Sequence, residues 1–290
     1  MEIVLYKDLV ERYLSREITT GEGFSVIDQI LRNPENTLVF TTEFRNKLIR
    51  ALPHHLRDAC QRWFTKLADA GRKQLLPKKG NPDSSFDEDF KSLLEDSPSE
   101  FAIGLTYNSV NLQNQELSKR VCAISLIQKL NRHWLLAELA ANHPKPITVT
   151  SDDFEKDSNV DQFFSVALTA KKTLDTVLLF DRHLNINHEK LDALKKYDRI
   201  LIYTTADHDK EKFTQLKKKF KNLEVYVLKD HYKLHGRNIV SGNLVVWTDN
   251  DFQNLKAGKD HDWRIGVQLC TREAGRFKSA CAKFTLITRT

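Results

Sequence analysis

No stretch of this sequence approaches the roughly 18 apolar residues that a membrane-spanning helix needs. Its opening, MEIVLYKDLVERYL, breaks the apolar run with charges too early for a signal peptide, so the chain is expected in the cytoplasm. Cysteine is scarce. Cys60, Cys122, Cys270 and Cys281 are scattered, with no CxxC or Cys/His spacing of the kind structural zinc requires, and read as reduced core thiols. A Gly-rich P-loop, a GxSxG elbow and an HExxH helix are all missing, which leaves nucleotide-hydrolase, esterase and zinc-protease chemistry without support. No internal repeat is present.

What is there is ordinary in bulk. The 290 residues are 40% hydrophobic and 29% charged, as in soluble globular proteins, and the length exceeds one average domain. The net charge of +6 is uneven: residues 1–143 hold 19 Lys/Arg against 19 Asp/Glu, and 144–290 hold 26 against 20. The excess in the second half suits an anionic partner and equally suits plain solubility.

HPKPITVTSDDF, residues 143–154, carries two prolines and separates helix-rich sequence from strands alternating with helices, which predicts an α/β protein of two domains, 1–142 and 145–290. LPKKGNPDSSFDED at 76–89 reads as a surface loop interrupting the first domain. In the first domain EIVLY (2–6), TLVFT (37–41) and AIGLTY (102–107) read as strands, and 115–142 as one long or two stacked helices with Trp134 in the core. In the second, TVLLF (176–180), RILIYT (199–204), LEVYVL (223–228) and NLVVWT (243–248) read as strands, with helices at 159–173, 187–197 and 208–221, predicting βαβ units and a largely parallel sheet. RIGVQL (264–269) and AKFTLI (282–287) would extend it.

Ligands of such sheets collect beyond the carboxyl ends of the strands. Those ends carry Asp181, Arg182 and His183, then Thr204 and Thr205, then Asp230 and His231. His235 and Arg237 follow, two apart on a strand-like stretch and therefore on one face. Together they would line an anion pocket. In EKFTQLKKKFKNL (211–223), Phe213, Leu216 and Phe220 share one helical face, leaving Lys217, Lys218, Lys219 and Lys221 for solvent or for an anion.

KLHGRNIVSGNLVVWTDNDFQNL, followed by DWRIGVQLCTREAGRFKSACAKFTL, resembles the phospholipase-D-like domain at the C-terminus of MIT-domain proteins, over most of 145–290. The resemblance implies one half of a phospholipase D fold and binding of anionic lipid head groups. Catalytic phospholipase D enzymes use His-x-Lys followed by Asp, twice; here Arg237 replaces the Lys, Gly242 stands at the later Asp, and no second copy occurs. Arg237 still suits bidentate phosphate binding. The pair thus grips a phosphate, acts catalytically with a second histidine from a homodimer, or is structural.

In the first domain Asp8 follows the opening strand, Glu43 follows the second, and Asp87-Glu88-Asp89 heads the helix before the third. Acidic side chains at successive strand ends can converge on Mg²⁺ or Mn²⁺, with Asp8, Glu43 and Asp87 as ligands and Asp89 beside them, for metal-assisted phosphodiester hydrolysis. First-turn carboxylates also serve simply as helix caps and dipole partners. The pattern, with LVFTTEFRNKLIRAL as its best stretch, is similar to PIN-type ribonuclease domains over about 1–142, which implies a metal-dependent nuclease. Asn108 stands where that family often has another acid. The expectation is a nuclease-like first domain with a phosphate-binding second domain that recruits nucleic acid, a pairing that would suit a bacterial toxin or anti-phage effector. The alternatives are a non-catalytic module binding nucleic-acid backbone or anionic lipid head groups while the first domain contacts a protein partner, and a dimeric, metal-independent phosphodiesterase.

Overall fold

A computed structural model of the chain describes residues 1–16, 22–69, 73–75, 83–110, 115–182, 189–205, 210–228 and 236–288. The chain divides into two units, Met1–His143 with Ala170–Lys172, and Pro144–Thr169 with Thr173–Thr290. The return of Ala170–Lys172 to the first unit has no mark in the sequence: Lys172 Nζ donates to the Glu95 and Ser97 carbonyls at the C-terminal end of a helix. No helix among the described residues is long and apolar enough to cross a membrane.

The first unit runs β1 (Glu2–Leu5), α1 (Lys7–Ser15), α2 (Glu22–Arg32), β2 (Thr37–Phe40), α3 (Thr42–Ala51), α4 (His54–Asp69), β3 (Lys73–Leu75), α5 (Phe86–Asp96), β4 (Ala102–Thr106), α6 (Gln115–Ser118), β5 (Val121–Ala123) and α7 (Arg132–Asn142). The strands form one parallel sheet in the order β3-β2-β1-β4-β5. Every residue of β1 and β4 is buried, as expected of a sheet covered on both faces. Gly104 lets α5 approach, because a Cβ there would overlap the Phe90 ring. The order reverses between β1 and β4, so their carboxyl ends frame the crevice where such sheets bind ligands.

One expectation here is corrected. Residues 115–142 are not a continuous helical stretch: between α6 and α7 the buried Val121-Cys122-Ala123 pairs with β4, and α7 starts afresh where Asn131 Oδ1 accepts from Trp134 N at 2.8 Å. Three small or β-branched residues fit a sheet edge slot that helical spacing alone does not reveal.

The second unit runs β6 (Ile147–Thr150), α8 (Asp157–Leu168), β7 (Thr176–Phe180), β8 (Arg199–Thr204), α9 (Lys210–Lys219), β9 (Leu223–Leu228), β10 (Arg237–Ser241), β11 (Leu244–Thr248), β12 (Arg264–Leu269), α10 (Thr271–Ala280) and β13 (Phe284–Thr288). Its sheet has the order β13-β9-β8-β7-β10-β11-β12-β6. The sheet is mixed. The largely parallel arrangement holds for β7, β8 and β9, whereas β10, β11, β12, β6 and β13 run antiparallel to their neighbours. The cause is local: Gly242, at φ 60°, and Asn243 turn β10 straight back into β11, and a two-residue hairpin forces antiparallel pairing. In place of the helix expected at 187–197, the described part holds a 3₁₀ turn at Asp192–Lys196. One face of the sheet, with Leu178, Phe180, Tyr203, Val240 and Val245, packs against Ala274 and Phe277 of α10.

Candidate functional site

The register of the second sheet assembles a polar row. Asn238 lies opposite Phe180, so Arg237 falls level with Asp181 at the next step; Phe180 lies beside Tyr203, so Asp181 falls level with Thr204. The ladder does continue that far, since Asp181 N donates to the Tyr203 carbonyl at 3.0 Å. On the other side Arg237 lies directly opposite Thr248. Laterally paired residues share a face, so Thr204, Asp181, Arg237 and Thr248 form a line across β8, β7, β10 and β11, on the face away from α10. Asp181, Thr204 and Thr248 are fully buried or nearly so. The row ends the sheet at the carboxyl ends of β7, β8 and β11, and the Arg182 carbonyl just beyond accepts from the Thr204 and Thr205 hydroxyls at 3.2 and 2.9 Å.

Arg237 is the cation of this row. Its Nη2 donates to Asp251 Oδ1, and the two side chains are only 19% and 17% exposed. Its Nε is buried and has no hydrogen-bond partner among the described residues. Thr248 Oγ1 accepts from Asn250 N at 3.3 Å, which leaves the hydroxyl proton to donate. The guanidinium thus has one donor, Nε, without a partner among the described residues, beside a hydroxyl donor, and such a pair suits a phosphate oxygen.

Of the residues expected in an anion pocket, the structure brings Asp181, Arg182 and Arg237 to one edge. His183, Asp230, His231 and His235 lie outside the described residues. Lys217 and Lys218 are elsewhere: they sit in the last turn of α9, whose neighbour Lys219 pairs at 2.8 Å with Asp192, just ahead of β8, so they lie by the opposite edge of the sheet. Phe213, Leu216 and, just past its end, Phe220 are buried, so α9 covers the sheet with its apolar face. Gly242, at the position of the later Asp in the phospholipase D pattern, occupies the hairpin turn at the far end of β10 from Arg237. Asp251 is the residue that sequence reasoning missed. Its only signal was the polar run Thr-Asp-Asn-Asp at 248–251 after the Trp-bearing strand.

In the first unit the expected carboxylates reach the carboxyl edge of the sheet but do not converge. Asp8 accepts from the backbone amides of Tyr107 and Asn108, both at 3.1 Å, and so ties α1 to the end of β4. Asp87 accepts from the Tyr6 hydroxyl. Burial, then the bond to Asp87 and its charge, then that of Asp8, push the Tyr6 hydroxyl pKa well above its usual value. Asp89 accepts from Lys47 Nζ at 2.6 Å and Ser84 Oγ at 2.5 Å, and Glu43 lies in the first turn of α3. Among the described residues no group of three His, Cys, Asp or Glu side chains is placed to hold a metal ion. Asp8, Glu43 and Asp87 thus do not form such a group in this arrangement. Both oxygens of Asp8 accept from backbone amides, and Asp87 Oδ1 accepts from the Tyr6 hydroxyl.

No family model and no curated protein matches the chain. Among solved structures it is similar to NucT from Helicobacter pylori, with a TM-score of 0.37 and 10% identity over 49% of this chain and 99% of that one. It is similar to TrmBL2, an archaeal chromatin protein, with a TM-score of 0.29 and 15% identity over 51% of this chain and 55% of that one. It is also similar to phosphatidylserine synthase from Haemophilus influenzae Rd KW20, with a TM-score of 0.32 and 10% identity over 49% and 39%. At TM-scores of 0.29 to 0.37, none of these likenesses fixes a family for the chain.

Proposed function

We propose that the second unit binds the phosphodiester backbone of nucleic acid at the edge formed by Asp181, Arg237 and Thr248, with Arg182 exposed beside it. The observation that carries this reading is the buried Arg237 Nε, without a partner among the described residues, in a row that also offers the Thr248 hydroxyl. A guanidinium held from one corner keeps donors aimed where a phosphate oxygen can take them. The excess of 26 Lys/Arg over 20 Asp/Glu in residues 144–290 adds a favourable field.

The test is binding of labelled single-stranded DNA and RNA to wild type and Arg237→Ala at two salt concentrations, with anionic vesicles as a parallel probe. Arg237→Ala is expected to weaken nucleic-acid binding by about tenfold, a loss of ~1.4 kcal/mol. Equal binding by both proteins overturns the reading, and Arg237-dependent binding confined to vesicles replaces the nucleic acid with a lipid surface. Adding Mn²⁺ or EDTA to the same samples tests hydrolysis. A metal-dependent nuclease in the first unit requires cutting with Mn²⁺ that Glu43→Gln abolishes, and a toxin or anti-phage role would depend on it. A metal-independent phosphodiesterase working as a homodimer requires cutting in EDTA that His235→Ala abolishes.

A further inference from the structure

We infer that Asp251 competes with the incoming phosphate for Arg237 and so sets the affinity of the site, an inference that rests on the reading above. Asp251 lies 14 residues beyond Arg237 and reaches it from the turn after β11. That turn is built without Arg237. Asp249 N donates to the Arg264 carbonyl at 3.3 Å and Arg264 N returns a bond to Asp249 Oδ1 at 2.7 Å; Asp251 N donates to Asn250 Oδ1 at 2.8 Å, and the Asp251 carbonyl accepts from Asn254 N at 2.8 Å. These bonds hold the backbone of the turn, so the ion pair is not its only support.

A carboxylate and a phosphate oxygen are the same kind of acceptor for a guanidinium, so a phosphate oxygen cannot take the Nη2 proton that Asp251 holds without displacing it. With both side chains mostly buried, the negative charge of Asp251 also repels a phosphate on the remaining donors with little screening by water. The phosphate must either displace Asp251 or bind against its charge. Asp251 is therefore an affinity-setting residue. Removing its charge while keeping its shape weakens the hold on Nη2, and lengthening it by one methylene keeps the competition.

The experiment is fluorescence-anisotropy titration of a fluorescein-labelled single-stranded oligothymidylate with the full chain, comparing wild type with Asp251→Asn, Asp251→Glu, Arg237→Ala and Arg237→Ala/Asp251→Asn, each checked for folding by circular dichroism. Asp251→Asn is expected to bind about tenfold tighter than wild type, Asp251→Glu within about threefold of it, and the double variant as weakly as Arg237→Ala. Unchanged or weaker binding by a folded Asp251→Asn, with wild-type binding still dependent on Arg237, overturns the inference and leaves the phosphate reading standing; it would make Asp251 a residue that positions the guanidinium. A gain in Asp251→Asn that survives in the double variant also overturns it, because the gain would then not pass through Arg237. Wild-type binding indifferent to Arg237→Ala removes the phosphate reading itself.

Discussion

Asp8 shows how a carboxylate that looks chemical also carries structural bonds. Its carboxylate accepts from the half-buried amide of Tyr107 and the exposed amide of Asn108 at the end of β4, and hydrogen bonds to a charged group contribute about 1.5–3 kcal/mol, less where water reaches them. Asp8→Ala is expected to lower the stability of the first unit by about 2 kcal/mol, and Asp8→Asn by roughly half as much because one acceptor remains; urea melts measure both. His143 adds a pH dependence. It is buried, with Nε2 2.7 Å from Asn36 Oδ1, and burial holds its pKa down to about 4 from 6.5. The folded value lies below the unfolded one, so its contribution is fully present above pH 6.5 and is lost as the pH falls from there toward about 4. Moving from pH 7 to pH 5 is expected to cost the first unit on the order of 1 kcal/mol after solvent screening, and His143→Gln to flatten that part of the profile.

At the level of elements, the most exacting fit is between β11 and β12. Gly266 lies opposite Trp247, and a Cβ at that glycine would overlap the indole ring. Gly266→Ala is expected to destabilise the second unit by about 2 kcal/mol through overpacking, with Gly275→Ala as a control, since nothing lies near the Cβ position there. Chemical denaturation followed by circular dichroism separates the two. Elements with a strong period were legible in advance: β1, β2, β4, β7, β8 and β9 fall where apolar runs predicted them, and α9 buries Phe213 and Leu216, with Phe220 just past its end, as the spacing required. Short edge elements were not legible. β3 and β5 have three residues each, too few to show alternation, and exist because a neighbouring strand offers them a ladder.

For the molecule as a whole, the division into two units leaves Lys172 as a tie of the first unit, donating from Nζ to Glu95 and Ser97 carbonyls and from its backbone N to the Glu100 carbonyl at 2.8 Å. A cation there satisfies carbonyls left over at the end of α5. Lys172→Met is expected to lower the stability of the first unit by about 1 kcal/mol, and a fragment ending at residue 143 to be less stable than the same unit in the full chain, both read by urea midpoint. The sequence by itself determined the two-unit α/β character, the helices with one apolar face, and the presence of Arg237 and the carboxylates near strand ends. Those follow from local spacing, in which each residue's neighbours along the chain decide its environment. Only the tertiary structure decided which polar groups meet: Asp8 with amides 99 and 100 residues away, Tyr6 with Asp87, Arg237 with Asp251 in a row fixed by strand register. A carboxylate accepts equally well from a metal, an arginine or a backbone amide, so its residue type carries no record of the partner. Sheet closure brings the partner, and sheet closure is set by the whole of the core.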